Sequence, residues 1–250
     1  MKKIREMQKD KIYAQPKSPI DDFRFDDDIA NVFEDMVQRS IPGYNLLLQN
    51  IGVITKKYAA PKTNLYDLGC SLGAGIFQLA DHSPKDCIII GIDNSEAMVK
   101  KCRAHLKKIE HKQKIDVRLG NIESSAMKNS SVVLMNWTLQ FVEPNAREGL
   151  IEKIYRSLNE GGVLVLSEKI SIHDQEQETT FFNLHERFKR ENGYSLLEID
   201  QKRKAIEQVL KTETEEEHLQ RLKRRGFKNI YKFFQDFNFA SFLAIKWPQN

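Results

Sequence analysis

Cysteine is scarce in this sequence, net charge is small, and long apolar runs are absent. Three cysteines among 250 residues are too few and too widely spaced for a disulfide framework or a zinc-binding box. No stretch approaches the ~20 consecutive apolar residues that a membrane-spanning helix needs. The sequence begins Met1-Lys2-Lys3, with no apolar segment of the kind found in secretory signals behind it. We therefore expect a cytoplasmic protein with no membrane span and no metal.

The chain also lacks a large excess of either positive or negative charge. The chain has 39 Lys and Arg residues against 35 Asp and Glu residues, a formal net charge of +4. This balance neither requires nor excludes a nucleic-acid partner, so only local clusters of charge are informative. Hydrophobic residues make up 40% and charged residues 30% of the chain, which excludes intrinsic disorder. The length suits one large domain with a buried core.

Strands and helices are expected to alternate over most of the chain. Residues 1–20 contain six Lys or Arg residues and predict a loose, solvated tail, and residues 21–250 predict a single domain. Helical spacing of apolar residues is present near 29–37 and from Tyr44 to Tyr58. Apolar runs follow, with helical patterns between them, and the predicted strands are 64–68, 87–92, 115–119, 131–135 and 162–167.

This alternation predicts an α/β fold. The sheet is expected to be doubly wound, mostly parallel and seven-stranded, with helices on both faces and two helices at the N-terminus. Residues 173–225 are charged and helical in pattern, which predicts an insertion that covers one face of the sheet. Alternating aromatic residues in 229–247 predict a terminal antiparallel hairpin.

A glycine-rich loop stands between the first predicted strand and the helix after it. Residues 69–73 read GCSLG and follow Asp67 closely. Ligands of doubly wound sheets bind at the carboxyl ends of the strands, and glycines let the backbone approach a bound group. The same glycines are compatible with a purely structural turn.

A second acidic residue, Asp93, ends the second predicted strand. Its carboxylate can accept both hydrogen bonds of a ribose diol. An alternative role for this region is to cap the helix that begins near Ser95. Together with the glycine loop, the acid predicts a cofactor that contains adenosine.

Several kinds of site compete for the glycine loop. A nicotinamide site needs a glycine where Ser71 stands, and a P-loop needs Lys followed by Ser or Thr. The loop also matches the G-x-S-x-G elbow of hydrolases, but no HGGG segment accompanies it. An S-adenosylmethionine site suits every loop, with Asp67 for the cofactor ammonium, Asp93 for the ribose and residues 120–122 for the adenine. Asn136, after the fourth strand, would then line the pocket near the sulfonium.

Longer motifs carry a more specific resemblance. Over residues 60–170 the chain resembles the class I S-adenosylmethionine-dependent methyltransferases, whose fold is Rossmann-like. Further motifs make it similar to the carboxy-S-adenosyl-L-methionine synthase family over nearly its whole length, except the first twenty or so residues. These motifs are QRSIPGY at 38–44, DLGCSLG at 67–73, TLQF at 138–141, LSEK at 166–169, FKRENGYS at 188–195 and EIDQKR at 198–203.

The resemblance implies an unusual reaction. Members of the family convert S-adenosyl-L-methionine and prephenate to carboxy-S-adenosyl-L-methionine and phenylpyruvate. In this reaction the sulfonium methyl is deprotonated and captures the carbon dioxide that prephenate loses. The resemblance also implies a homodimer, and a functional link to a tRNA-modifying transferase that uses the product for 5-oxyacetyl modification of wobble uridine 34. It implies no stable, direct binding of nucleic acid.

Site residues are implied by the same resemblance. Arg203 is expected to bind the new carboxylate of the product, from the neighbouring subunit, with a bidentate geometry that lysine lacks. The residues alone would favour a solvated arginine on a charged helix. The expected cofactor contacts besides Arg203 are Tyr44, Gly69, Cys70, Ser71, Asp93, Asn94, Asn121, Ile122 and Asn136.

One position departs from the family pattern, and some roles stay open. Asn121 stands where the family usually has Asp, and its amide oxygen can still accept a hydrogen bond from adenine. No residue is assigned as the base for the methyl proton, and Arg203, Lys169 and Tyr194 are candidates for holding prephenate. Two alternatives remain: an ordinary methyltransferase, or a non-catalytic cofactor-holding partner in tRNA modification, which the basic run 221–225 would support.

Overall fold

One mixed β-sheet forms the centre of the protein in the computed structural model, which describes residues 8–247. The strands are β1 (Asn64–Leu68), β2 (Ile88–Asp93), β3 (Lys114–Leu119), β4 (Ser130–Asn136), β5 (Leu158–Ser171), β6 (Glu213–Thr214), β7 (Asn229–Asp236) and β8 (Phe239–Ile245). The helices are α1 (Asp27–Ser40), α2 (Tyr44–Tyr58), α3 (Ala74–His82), α4 (Glu96–Leu106), α5 (Pro144–Ser157), α6 (Gln175–Glu191), α7 (Leu196–Glu207) and α8 (Glu215–Arg224). A 3₁₀ turn covers Leu139–Phe141.

The strand order is β3-β2-β1-β4-β5-β8-β7. Strands β1 to β5 run parallel, and β8 lies antiparallel to both β5 and β7. The prediction of a doubly wound, mostly parallel seven-stranded sheet with a terminal hairpin is confirmed. The two-residue strand β6 pairs with β5 beside this path and adds to the predicted set. Because the strand order reverses between β1 and β4, a crevice forms at their carboxyl ends.

Helices bury both faces of the sheet. Residues 132–135 of β4 are fully buried, as expected for a parallel strand that is covered on both sides. Leu68 and Ile92 belong to an apolar cluster that α5 covers. Leu65 and Ile89 belong to the opposite cluster, which α2 and α3 cover. This double anchoring fixes the strand ends, and with them the loops that form the crevice.

Side-chain caps define two helices beside the crevice. Asp26 accepts a 3.0 Å hydrogen bond from the backbone N–H of Ile29 at the start of α1. Ser95 caps α4 in the same way, accepting a 3.1 Å hydrogen bond from Met98. The N-cap of α4 is therefore Ser95, which leaves Asp93 available for a ligand.

Residues 8–20 are packed against the domain. Asp10 is only 1% exposed and Tyr13 only 8% exposed. The side chain of Gln201 in α7 donates to the carbonyl oxygen of Tyr13 and accepts from the N–H of Lys17, at 2.9 and 2.6 Å. Polar side chains of the insertion thus bind part of this backbone, while residues 15–19 are exposed, and the expectation of a loose, solvated tail stays a prediction. Residues 1–7 of that expectation lie outside the described range.

The segment between β5 and β7 contains α6, α7, β6 and α8, where the sequence predicted a helical insertion at 173–225. Helix α7 begins with a capping box in which Ser195 and Glu198 satisfy each other's backbone N–H groups. Within residues 8–247, no helix is both long and apolar enough to cross a membrane. The division of the chain into a tail and one domain stays a prediction.

Candidate active site

A cavity of about 720 Å³ lies at the carboxyl ends of β1, β2 and β4. The glycine loop forms one side, and α6 and α7 of the insertion form the other. Phe25 of the N-terminal segment and Phe141 line it as well, in edge-to-face contact at 5.3 Å between ring centroids. Its size is typical of a small-molecule site, for which ~300–1,000 Å³ is common.

The glycine loop needs glycine at its first position. Gly69 has φ = 75°, and its N–H donates a 2.8 Å hydrogen bond to the carbonyl oxygen of Ile92. A Cβ atom on Gly69 would stand 2.3 Å from Oγ1 of Thr138. Cys70 and Ser71 follow it along the cavity wall. The loop is therefore held tightly between the ends of β2 and β4.

Asp93 joins the end of β2 to the glycine loop. Its Oδ2 accepts a 2.8 Å hydrogen bond from the backbone N–H of Ser71, and its Oδ1 accepts a 2.9 Å hydrogen bond from that of Ser95. Burial raises the pKa of Asp93, although these two hydrogen bonds oppose the rise. Each carboxylate oxygen has a second lone pair. The geometry is thus compatible with acceptance of two hydrogen bonds from a diol in the cavity.

Asp67 is a second buried acid at the same edge of the sheet. It is 3% exposed, and burial, followed by the nearby charge of Asp93, raises its pKa to about 7. Helix α3 starts so close that a Cβ on Gly75 would lie 2.5 Å from Oδ2 of Asp67. No cation forms an ion pair with Asp67 within residues 8–247. A cationic ligand beside it would favour its ionised form.

Tyr44 stacks on Trp137 across the cavity wall. The ring centroids are 5.4 Å apart and the planes differ by 27°. Burial, followed by the charge of Asp67, raises the pKa of the Tyr44 hydroxyl well above its usual value, so it stays protonated. Trp137 has φ = 53°, an uncommon backbone conformation for a large side chain. Such conformations often mark functional sites, and Trp137 lines the cavity beside Asn136.

Asn136 and Glu168 shape the loop after β4. Ser167 donates a 3.0 Å hydrogen bond to Oδ1 of Asn136, which lines the cavity. Glu168 is fully buried and accepts hydrogen bonds from the backbone N–H groups of residues 138–140, at 2.9 to 3.3 Å. Burial raises its pKa to about 8, and these bonds oppose the rise. Glu168 lies in the LSEK motif at 166–169, but its role depends on contacts that the sequence does not reveal.

Arg203 lies on α7 and lines the cavity of its own chain. Its guanidinium donates a 2.7 Å hydrogen bond to Oδ1 of Asp200 and lies 5.3 Å from the ring centroid of Phe182. The side chain is 33% exposed, so it is neither a fully solvated arginine nor a buried one. The contribution of Arg203 to a partner's site stays a prediction.

Further cationic and aromatic groups line the cavity together with Arg203. The candidates Lys169 and Tyr194 both line the cavity. Tyr194 donates a 2.6 Å hydrogen bond to Oδ2 of Asp10, and the guanidinium of Arg39 stacks 3.7 Å above its ring. Lys189 and His185 line the same end of the cavity and were missed by sequence. Lys189 lies in the quoted motif 188–195, which was the available signal.

Asn121 is the exception among the expected cofactor contacts. Its side chain is exposed and does not line the cavity. Its carbonyl oxygen accepts hydrogen bonds from the hydroxyls of Ser124 and Ser125, so residues 121–125 form a turn that directs the side chain outward. Ile122 lines the cavity, as does Asn94. The other nine expected contacts are therefore brought together around one cavity.

Comparison with solved structures identifies the class of protein. The fold is similar to that of an S-adenosylmethionine-dependent methyltransferase, SibL, with a TM-score of 0.62 and 12% identity, over 88% of this chain and 58% of that one. A putative S-adenosyl-L-methionine-dependent methyltransferase from Methanococcus maripaludis gives a TM-score of 0.60 and 18% identity, over 92% and 97%. A family profile described as a methyltransferase domain matches residues 65–162. The fold is thus that of the class I S-adenosylmethionine-dependent methyltransferases.

Sequence relatives identify the family. Carboxy-S-adenosyl-L-methionine synthase of Shewanella sediminis is 44% identical over 238 residues, which are 95% of this chain and 98% of the relative. The synthases of Pseudoalteromonas atlantica and Escherichia coli O1:K1 are 46% and 45% identical, each over 95% of this chain. The chain belongs to the carboxy-S-adenosyl-L-methionine synthase family. The expected enzyme class and the S-adenosyl-L-methionine cofactor are confirmed.

Proposed function

We propose that this enzyme converts S-adenosyl-L-methionine and prephenate to carboxy-S-adenosyl-L-methionine and phenylpyruvate. The observation that carries the proposal is that one cavity holds two acids at the strand ends and a group of cations beside the insertion. Asp67 and Asp93 lie at the strand ends, whereas Lys169, Lys189 and Arg203 lie on the opposite side, among glutamates of α6 and α7. The first side suits a cofactor with a ribose diol and an ammonium group. The second side suits a small dianion.

Residues at the strand ends support binding of the adenosyl substrate at that end of the cavity. Asp93 would accept the ribose hydroxyls, and Asp67 would face the ammonium of the amino-acid portion. Tyr44 stacked on Trp137 provides an apolar wall, and Asn136 lies at the end of β4 where the sulfonium is expected. The backbone of Gly69, Cys70 and Ser71 would lie against the bound S-adenosyl-L-methionine, as glycine-rich loops do in sheets of this kind.

The proposed reaction balances without a further reactant. Prephenate loses its ring carboxyl as carbon dioxide and its ring hydroxyl as it becomes phenylpyruvate. The sulfonium methyl of S-adenosyl-L-methionine loses a proton and gains the carbon dioxide. The released proton and the hydroxide from prephenate combine to form water. Enclosure by aromatic residues such as Phe25 and Phe141 supports this chemistry, because a dry cavity protects both reacting species from water.

Arg203 is proposed to bind the carboxylate that the product has gained. Its planar guanidinium can form two parallel hydrogen bonds with a carboxylate. The resemblance assigns this contact to the neighbouring subunit, so we also propose a homodimer. Light scattering of the purified protein tests this, and a monomer at all concentrations would exclude a partner's contribution.

The proposed product serves a tRNA-modifying transferase that forms 5-oxyacetyl wobble uridine, and we place both enzymes in the cytoplasm. Direct binding of tRNA by this chain is not proposed. The basic run 221–225 is largely neutralised: Arg221 is paired with Glu213, and Arg225 with Glu148 at 2.5 Å. Salt-sensitive binding of tRNA at low ionic strength would contradict this view.

Mass spectrometry of a reaction with both substrates tests the proposal. We expect phenylpyruvate and a nucleoside product that is heavier than S-adenosyl-L-methionine by one carboxyl group. A control without prephenate should leave the cofactor unchanged. Unchanged prephenate together with transfer of the methyl group to another acceptor would instead indicate an ordinary methyltransferase.

A further inference from the structure

Two half-buried lysines stand outside the expected cofactor contacts. Lys169 is located near the end of β5 and Lys189 on α6, and both line the cavity. In the described part of the chain, neither ammonium group has a hydrogen-bond acceptor or an ion-pair partner within 4.0 Å. A partly desolvated ammonium without a partner is unfavourable, and a ligand of opposite charge removes this cost.

The neighbouring cations already have protein partners. Lys202 donates a 3.0 Å hydrogen bond to Oγ of Ser40 and lies 4.0 Å from Oδ2 of Asp10. Arg203 is bound to Asp200. Lys169 and Lys189 therefore differ from the other cations of the cavity, because their charge is left for a ligand.

Nearby charges reinforce this difference. Burial, followed by the positive charges of Lys169 and Arg203, lowers the pKa of Lys189 to about 8, while Glu186 acts in the opposite direction. Burial also lowers the pKa of Lys169, while Glu178 and Glu207 act in the opposite direction from beyond ion-pair distance. An anion between the two lysines would stabilise both ammonium groups and remove their mutual repulsion.

His185 completes the wall beside Lys189 without adding a charge. Its Nε2 lies 2.8 Å from the carbonyl oxygen of Ser40, an acceptor, so Nε2 carries the proton. Burial, followed by the charges of the surrounding lysines, lowers the pKa of His185 to about 3. Its ring packs edge-to-face on Phe239 at 5.0 Å. The wall therefore combines two cations with apolar ring surface, which suits the carboxylate of an acid that also carries a six-membered ring.

We propose that Lys169 and Lys189 form a subsite for the carboxylate that the second substrate keeps during the reaction. This subsite rests on the proposed function, in which one carboxylate of a dianion is transferred and the other remains on a 2-oxo acid. Arg203 serves the transferred carboxylate, and the two lysines serve the retained one. The product phenylpyruvate, which has only the retained carboxylate, is therefore the diagnostic ligand.

Calorimetric titration of phenylpyruvate into the enzyme saturated with S-adenosyl-L-methionine tests the subsite. Lys189→Met should raise the Kd of phenylpyruvate by about tenfold or more, since a charge-assisted hydrogen bond is lost. Lys189→Arg should retain most of the affinity. The matched control is Arg190→Met, which removes an exposed cation from the next position of the same helix. Affinity for S-adenosyl-L-methionine should change by less than about twofold in every variant.

The outcomes separate the subsite from the proposed function. The subsite is overturned if Lys189→Met and Arg190→Met bind phenylpyruvate equally, whether or not the wild type converts prephenate. It is also overturned if Lys189→Met weakens binding of S-adenosyl-L-methionine as much as binding of phenylpyruvate. If the wild type neither converts prephenate nor binds phenylpyruvate, the proposed function fails, and a titration with malonate decides the subsite. Malonate binding that Lys189→Met abolishes supports an anion subsite, and its absence in the wild type overturns it.

Discussion

The hydroxyl of Tyr194 donates a 2.6 Å hydrogen bond to Oδ2 of Asp10, and both residues are buried. This bond joins the N-terminal segment to the insertion, on the cavity side of the sheet. Arg39 reinforces the junction, because its guanidinium stacks on the Tyr194 ring and donates a 3.2 Å hydrogen bond to the carbonyl oxygen of Asp10. The segment that helps to enclose the cavity is thus held by a buried polar network.

Asp10→Ala should loosen that segment. Removal of the carboxylate takes away the acceptor of the Tyr194 hydroxyl proton, which costs about 1–3 kcal/mol for a buried donor. We expect a lower free energy of unfolding and faster proteolysis within residues 8–25, measured by denaturant titration and limited digestion. The control Asp21→Ala changes an exposed acid of the same segment. Equal digestion of the two variants would contradict a holding role for Asp10.

Binding of S-adenosyl-L-methionine should depend on the ionisation of Asp67. Burial raises the pKa of this carboxyl to about 7 in the unliganded protein. Below that pH the group is protonated and cannot pair with the cofactor ammonium, so affinity should fall by about tenfold per pH unit. Above about pH 7 the affinity should become independent of this group.

Calorimetry between pH 5.5 and 8.5, in buffers of different ionisation enthalpy, measures this linkage as protons released on binding. Asp67→Asn should bind the cofactor weakly and with a flatter pH profile. If the variant shows the same slope as the wild type, another group is responsible for the linkage.

Gly69 should not tolerate a side chain. Its φ of 75° and the 2.3 Å approach of a Cβ to Oγ1 of Thr138 predict that Gly69→Ala distorts the loop and loses most cofactor affinity. Gly149→Ala is the matched control, because a Cβ there meets nothing within 4 Å. Since Gly149 lies in α5, we expect that change to stabilise the protein by roughly 0.5–1 kcal/mol. Cofactor titration and thermal unfolding distinguish Gly69→Ala from Gly149→Ala. If the two variants bound the cofactor with similar affinity, the tight packing of the loop would be contradicted.

The mostly parallel sheet and the position of the cavity could be predicted because their signals are local. Apolar runs, glycines and terminal acids recur within a few residues, and parallel strands bring Asp67 and Asp93 to one edge automatically. The packing of the N-terminal segment could not be predicted in this way. Its partner Gln201 is 184 residues away from Lys17, and nothing near either residue signals the pairing.

Roles that depend on burial were also beyond the sequence. Glu168 and Lys189 lie in the motifs at 166–169 and 188–195. A motif alone does not indicate whether its charged residue is solvated or buried. The roles proposed for these residues rest on the three backbone N–H groups that converge on Glu168 and on the lack, among residues 8–247, of an acceptor for the Lys189 ammonium. The reverse holds for Asn121, whose motif position suggested a contact that the turn at 121–125 directs away from the cavity.

Glu168 should act as a positioning residue for the loop that carries Trp137. An amide has one oxygen, so in Glu168→Gln at least one of the three backbone N–H groups would face an amide nitrogen. We expect a loss of about 1–3 kcal/mol in the free energy of unfolding. A shift in the emission of Trp137 and weaker cofactor binding should accompany it, because the loop is displaced. Glu160→Gln, an exposed change in the same strand, is the control and should leave all three unchanged.

The pH dependence of stability gives a second measurement for Glu168. Burial raises its folded pKa to about 8 from an ordinary value near 4.5. The folded state therefore binds the proton of Glu168 more tightly than the unfolded state does. The stabilisation that this provides is fully present below pH 4.5 and is lost as the pH rises through about 8. The wild-type free energy of unfolding should fall between pH 6 and 8.5 in denaturant titrations. Glu168→Gln cannot ionise, so its decline over this range should be smaller, and an equally steep decline would exclude Glu168 as its source.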